Sequence, residues 1–266
     1  MILQLYRLYL RALFRWKYGD ARFPRTLRLE ISSHCNRRCA YCPNSFAPNP
    51  VRFISDDVLD AFLKRIREIN YPGAVDFIFF NEPLLHTGLP SIVRQVKLAA
   101  PRCHPVVSTN GDLLTPELVF ELVEEGVVKI FAMHHRPDRP GWWNNINGLK
   151  KRWPGVIQAT DITEMENASG LYDYGGKVEV NKVRERNWSK GLPICDMHEA
   201  CGQIDINGDW LLCCVDYSRS NAFGNIKHQG LLEIWNNPEF QKIRKDLRGG
   251  FPMLGICQEC ACFTGR

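Results

Sequence analysis

Cys35, Cys39 and Cys42 stand at C-x3-C-x2-C spacing. Thiolates this close in sequence suit a soft metal centre, with zinc and iron–sulfur clusters as the two choices. Three thiolates can hold three irons of a [4Fe–4S] cube and leave the fourth iron open, whereas a structural zinc site takes a fourth protein ligand. Position favours the cube. The motif directly follows a strand-like run, Thr26–Ile31, and ligands of α/β folds gather at the C-terminal ends of strands.

A second set lies far downstream: Cys195, Cys201, Cys213, Cys214, Cys257, Cys260 and Cys262. Gly208–Cys213 reads as part of a β-hairpin, with its turn at Asn207-Gly208. A cysteine before the hairpin, one at its end and a distant C-x2-C can together surround another four-iron cluster. Zinc is the alternative, and spacing alone does not separate the two. Cys103 reads as a loop or buried bystander. A Cys201 thiol near a substrate would be a hydrogen-atom donor.

The elements that must position these residues alternate. Strands are expected at Thr26–Ile31, Ala74–Phe80, Pro105–Ser108, Val127–Met133 and Val156–Asp161, with helices at Asp56–Asn70 (Ser55 as N-cap), Leu89–Ala99 and Thr115–Glu125. Repeated βα units imply a parallel sheet, open or curled into a partial barrel. His134 and His135 end the fourth strand and are candidates for a base or for orienting a hydroxyl. The stretch Trp142–Trp153 reads as an amphipathic helix or a lid. Residues 1–18 read as an amphipathic helix with Arg7, Arg11 and Arg15 on one face, packed on the outside of the domain; contact with a membrane surface is the less favoured reading.

With 266 residues, the chain suits one elaborated α/β domain plus a smaller unit. Eleven cysteines without a secretory signal pattern point to metal ligands in a reducing, cytoplasmic compartment rather than to disulfides. The net charge of +5 is spread along the chain, so nucleic acid is not an expected partner. The zinc-bound, non-catalytic reading would use the basic and aromatic stretch from Trp142 to Trp153 as a binding face.

The segment from Cys35 to Ser45, CNRRCAYCPNS, resembles the signature of the radical S-adenosylmethionine (SAM) superfamily. Asn81-Glu82-Pro83 follows the second strand where that family usually carries Gly-Glu-Pro, and Ser108-Thr109-Asn110-Gly111 follows the third. The layout of the later cysteines is similar to the SPASM/Twitch subfamily. The resemblance implies an α/β fold, a partial parallel (β/α)6 TIM-like barrel over 26–187, with a small cysteine-rich Twitch-like module over 188–266 and the helix of 1–25 ahead of both.

It also implies two [4Fe–4S] clusters and SAM as cofactors, with Cys35, Cys39 and Cys42 on the first cluster and Cys195, Cys213, Cys257 and Cys260 on the second. Cys214 and Cys262 are near-neighbour rivals in the second set. Tyr41, Glu82, Ser108, Thr109 and Asn110 would hold SAM. The implied partners are a small-molecule substrate and an external electron donor such as flavodoxin or ferredoxin.

The expected reaction is radical dehydrogenation of a sugar-like or aminocyclitol alcohol, with the auxiliary cluster taking an electron. An epimerase using Cys201 and a peptide-modifying enzyme are the alternatives. Tyr174 opens a Tyr-Gly-Gly turn where aminocyclitol dehydrogenases of this type carry Arg-Gly-Gly, so their substrate does not transfer directly.

Overall fold

The computed structural model describes residues 24–48, 50–135, 140–162, 197–248 and 253–260. The helix expected over 1–25 lies almost wholly outside them, as do Tyr174, Cys195 and Cys262. Eight strands form one sheet: β1 (Thr26–Leu29), β2 (Ala74–Phe77), β3 (His104–Thr109), β4 (Lys129–His134), β5 (Ile157–Asp161), β6 (Cys201–Ile204), β7 (Asp209–Leu211) and β8 (Ala222–Asn225). Their order is β5-β4-β3-β2-β1-β6-β7-β8, and β1 to β6 are all parallel. Among the described residues, β6 therefore joins the parallel strands beside β1, not after β5. The hairpin strands β7 and β8 then extend the same sheet antiparallel, so the C-terminal segment carrying the second cysteine set shares backbone hydrogen bonds with the first half of the chain.

Side-chain alternation divides the sheet into two faces. Leu27 and Leu29 on β1, Val75 and Phe77 on β2, Val107 on β3 and Ile130 and Ala132 on β4 join the apolar core. Helices pack on this face through apolar residues at i, i+3 and i+4 spacing. The helix Asp56–Glu68 buries Val58, Leu59, Phe62, Leu63 and Ile66, and Leu89–Ala99 buries Ile92, Val93 and Val96. The opposite face of β1 to β6 lines a single cavity. Because the outer strands β5 and β6 both contribute to it, the parallel strands curl into the expected partial barrel.

Local chemistry sets the element boundaries. β2 stops at Phe77, short of the expected Phe80, because the Ile78 N–H turns back to the Asp76 carbonyl and the Phe79 N–H donates to Asn81 Oδ1 at 2.8 Å. Ser55 occupies the N-cap position of the first long helix, but its hydroxyl bonds the Asp57 carboxylate and not a backbone N–H. Thr115 caps the helix Pro116–Glu124 by accepting from the Leu118 N–H at 3.2 Å. The Trp142–Arg152 stretch is an amphipathic helix that buries Trp142, Ile146 and Leu149 and leaves Lys150, Lys151 and Arg152 exposed. Among the described residues no helix is long and apolar enough to cross a membrane.

Gly202 marks the tightest approach between β1, β6 and β7. A Cβ built there would lie 2.4 Å from the Trp210 ring and 2.9 Å from Leu27 Cδ2, and Trp210 is fully buried. Gly202→Ala should cost about 1–3 kcal/mol through overpacking, read as a lower urea midpoint at an unchanged slope.

Candidate active site

The cysteine motif sits on the loop leaving β1, which two ties hold against the ends of β2 and β3. The Arg37 guanidinium forms a buried ion pair with Asp112, its Nε donating to Asp112 Oδ2 at 2.7 Å, and both side chains are about 95% shielded from solvent (4% and 5% exposed). Asn110 Nδ2 donates to Asn36 Oδ1 at 2.7 Å and lies 3.8 Å from Cys35 Sγ. The Arg37 N–H also points at Cys35 Sγ at 3.4 Å. Burial raises the Cys35 thiol and pushes Cys42 up to about 11, and the neighbouring thiols add to both shifts. These sulfurs stay protonated at neutral pH unless a cationic centre draws them into coordination.

The turn after β2 places Glu82 behind this loop. It is 1% exposed, and its carboxylate accepts from the Leu84 N–H at 3.1 Å, the Thr109 hydroxyl at 2.7 Å and the Asn110 N–H at 2.8 Å. Burial raises its pKa, and these three donors offset part of the rise. Its own N–H donates to the His34 carbonyl at 2.9 Å, so one residue joins the ends of β1, β2 and β3. Asn81, where glycine is usual, links Phe79 to the Ser32 hydroxyl of the β1 loop through its side-chain amide. Gly111 adopts φ +77° against Trp142, whose indole N–H donates to the Asn110 carbonyl at 2.9 Å.

The cavity below has a volume of about 550 Å³. Cys35, Cys39, Cys42, Tyr41, Glu82, Ser108, Thr109, Asn110 and His135 all line it, which brings together most of the residues singled out in the first half of the sequence. The two histidines separate. His135 faces the cavity, contacts the Tyr41 hydroxyl through Nδ1 and stacks on its ring. Burial, with Arg37 nearby, lowers its pKa to about 4, so it is neutral at physiological pH. His134 points to the opposite face, against Trp142 and Trp143, with Nδ1 3.2 Å from Asp161 Oδ2. Strand alternation makes that divergence obligatory for adjacent residues.

Sequence reasoning passed over the floor of the cavity: Arg28 on β1, Asp76 on β2 and Gln203 on β6. Burial pushes Asp76 up to about 6, against the opposing pull of Arg28 and of the Ser108 hydroxyl at 3.0 Å. The available signal was a charged residue inside each of two otherwise apolar strand segments, TLRL and AVDF.

In the C-terminal segment Cys213, Cys257 and Cys260 are buried, Cys213 on the loop after β7 and the other two at the helix Gly255–Glu259 and its end. Cys214, next to Cys213, turns to the cavity. Cys201 opens β6 opposite Thr26, at the end of the sheet away from the cysteine loop, and does not line the cavity. Among the described residues no three His, Cys, Asp or Glu side chains converge closely enough to hold a single metal ion.

Removing one partner of the buried Arg37–Asp112 pair leaves an uncompensated charge. Asp112→Ala should lower stability by about 3–5 kcal/mol, measured by equilibrium unfolding of the metal-free protein.

Comparison with known proteins places these features in order. Residues 29–138 match the model of the radical SAM superfamily, and residues 195–261 match that of the SPASM iron–sulfur cluster-binding domain. The chain is 27% identical over 239 residues to the S-adenosyl-L-methionine-dependent 2-deoxy-scyllo-inosamine dehydrogenase of Niallia circulans, covering 88% of this chain and 91% of that protein. A GTP 3',8-cyclase of Chlorobaculum tepidum is 36% identical over 115 residues, which is 40% of this chain and 32% of the relative.

Among solved structures, BtrN in complex with AdoMet and 2-DOIA superposes with a TM-score of 0.79 at 24% identity over 90% of this chain and 93% of that one. The AdoMet-bound anSMEcpe protein superposes with a TM-score of 0.58 at 14% identity over 84% and 83%. Both likenesses bear on the fold. With the cysteine loop, the Glu82 turn and the β3 end assembled around one cavity, the chain carries a radical SAM domain over residues 29–138 and a SPASM iron–sulfur cluster-binding domain over residues 195–261.

Proposed function

We propose that this radical SAM enzyme dehydrogenates a secondary alcohol on a small polyhydroxylated or aminocyclitol substrate. The observation that carries the reading is its similarity, along 88% of the chain, to a dehydrogenase of that class. The cavity supports it, because about 550 Å³ suits a small molecule beside a bound cofactor.

The family's cofactors are a [4Fe–4S] cluster and SAM, and the SPASM domain adds iron–sulfur binding. The donor set fits the first cluster: Cys35, Cys39 and Cys42 sit on one loop at the cavity wall, and burial with the neighbouring thiols raises Cys35 and Cys42. When bound, these groups supply a hydrogen-abstracting 5′-deoxyadenosyl radical and an electron acceptor.

The chain's own residues do the rest. Cys35, Cys39 and Cys42 hold the first cluster, and Cys195, Cys213, Cys257 and Cys260 hold the second. Glu82, Thr109 and Asn110 form a rigid shelf for the polar end of SAM, and Tyr41 offers a ring face for its adenine. His135, neutral and facing the cavity, takes the hydroxyl proton as the carbonyl forms. His134, turned to the helix face, serves packing. Tyr174, outside the described residues, is the further candidate for contact with the substrate. Flavodoxin or ferredoxin supplies the reducing electron from outside.

Two results follow. In Glu82→Gln an amide NH2 replaces one carboxylate oxygen opposite backbone and hydroxyl donors. SAM affinity should fall at least about tenfold at unchanged iron content, measured by equilibrium dialysis. Reduced holoenzyme given SAM and carbinol-deuterated 2-deoxy-scyllo-inosamine or scyllo-inositol should yield a ketone, with deuterium appearing in 5′-deoxyadenosine. Deuterium transfer that returns an epimer with no ketone would overturn the dehydrogenase reading.

A further inference from the structure

Arg28, Asp76 and Gln203 lie side by side across three strands. Arg28 is the register partner of Asp76 on β2 and of Gln203 on β6, and all three face the cavity. Their hydrogen bonding is unequally satisfied. Asp76 accepts from the Ser108 hydroxyl at 3.0 and 3.1 Å. The Arg28 guanidinium reaches the Cys214 sulfur, yet its Nε is buried without a partner. Gln203 is 1% exposed, and neither its Nε2 nor its Oε1 has a partner. An unmade bond at a buried polar group is destabilising, so a fully buried amide with both ends open needs a reason.

From these open atoms we infer that Arg28 and Gln203 form a recognition site for hydroxyl groups of the substrate, seated at the cavity floor opposite the cysteine loop. The open atoms are two kinds of donor, Arg28 Nε and Gln203 Nε2, and one acceptor, Gln203 Oε1. An ammonium group only donates, and would face the Arg28 charge with both donors left unmet. A carboxylate only accepts, and leaves Gln203 Oε1 facing an anion. A hydroxyl both donates and accepts, so one hydroxyl, or two adjacent ones, completes the set. The only carboxylates lining the cavity among the described residues, Asp76 and Glu82, are already bonded within the chain. If the substrate carries an amine, that amine points away from this floor. The inference rests on the small-alcohol reading and specifies which part of such a molecule the floor takes.

The test is calorimetric binding of scyllo-inositol and 2-deoxy-scyllo-inosamine to unreduced, SAM-loaded holoenzyme, where no turnover occurs. In Gln203→Leu, similar in size and free of polar atoms, the affinity for the bound probe should fall at least about tenfold, or about 1.4 kcal/mol. SAM affinity and the unfolding midpoint should not fall, which separates a recognition role from a structural one. Arg28→Met is the second variant, with the same expected direction for the probe and none for SAM. Equal probe affinity in wild type and both variants overturns the inference and leaves dehydrogenation standing. A wild type that binds neither polyhydroxylated probe overturns it as well, while ketone formation from any other alcohol would keep the dehydrogenase reading alive. Binding lost in the variants, with no ketone ever formed by wild type, supports the floor site and removes dehydrogenation.

Discussion

A single buried carboxylate holds the working end of this molecule together. Glu82 is the residue through which the ends of β1, β2 and β3 meet: its own N–H bonds the cysteine loop, and its side chain bonds the β3 end. A carboxylate removed from water is costly unless donors surround it. Three donors do so here, from a backbone turn, a hydroxyl and a second backbone N–H. Two of those donors, from Thr109 and Asn110, belong to the segment expected to meet SAM, so satisfying Glu82 and shaping the cofactor shelf are one act. The Arg37–Asp112 pair repeats the device one layer outward by tying the residues between the first and second cysteines to the residue after Gly111.

The topology explains how a cysteine of the distant second set, Cys214, comes to line the same cavity as the first set. β6 inserts beside β1 and not after β5, and β7 and β8 continue from it. The loop after β7, with Cys213 and Cys214, is thereby carried to the same wall as Arg28. A polar row, Asp76–Arg28–Gln203, then crosses the seam between the two halves of the chain. Its charges persist inside a barrel because the cavity and their mutual proximity lower the desolvation cost.

Much of this was legible in the sequence because its signals are local. The C-x3-C-x2-C spacing, the Asn81-Glu82-Pro83 turn and the order of strand-end motifs need no knowledge of what pairs with what, and the cavity collects them all. What stayed hidden depends on long-range register. Two adjacent histidines read alike in sequence, but strand parity sends His135 to the cavity and His134 to Trp142. Arg28 and Asp76 are single charges in strand segments whose neighbours only the register supplies, and Gln203 carries no signal until β6 is placed against β1. Cys201 drew notice as a thiol, yet the register opposite Thr26 puts it at the other end of the sheet.

The most direct test of a two-cluster radical SAM enzyme is iron and sulfide content, with an electron paramagnetic resonance spectrum, of anaerobically reconstituted protein beside Cys35→Ala/Cys39→Ala/Cys42→Ala. Wild type should hold about eight irons and the triple variant about four, with a wild-type signal that changes when SAM is added. Zinc in place of iron, or a spectrum indifferent to SAM, would contradict a two-cluster radical SAM enzyme.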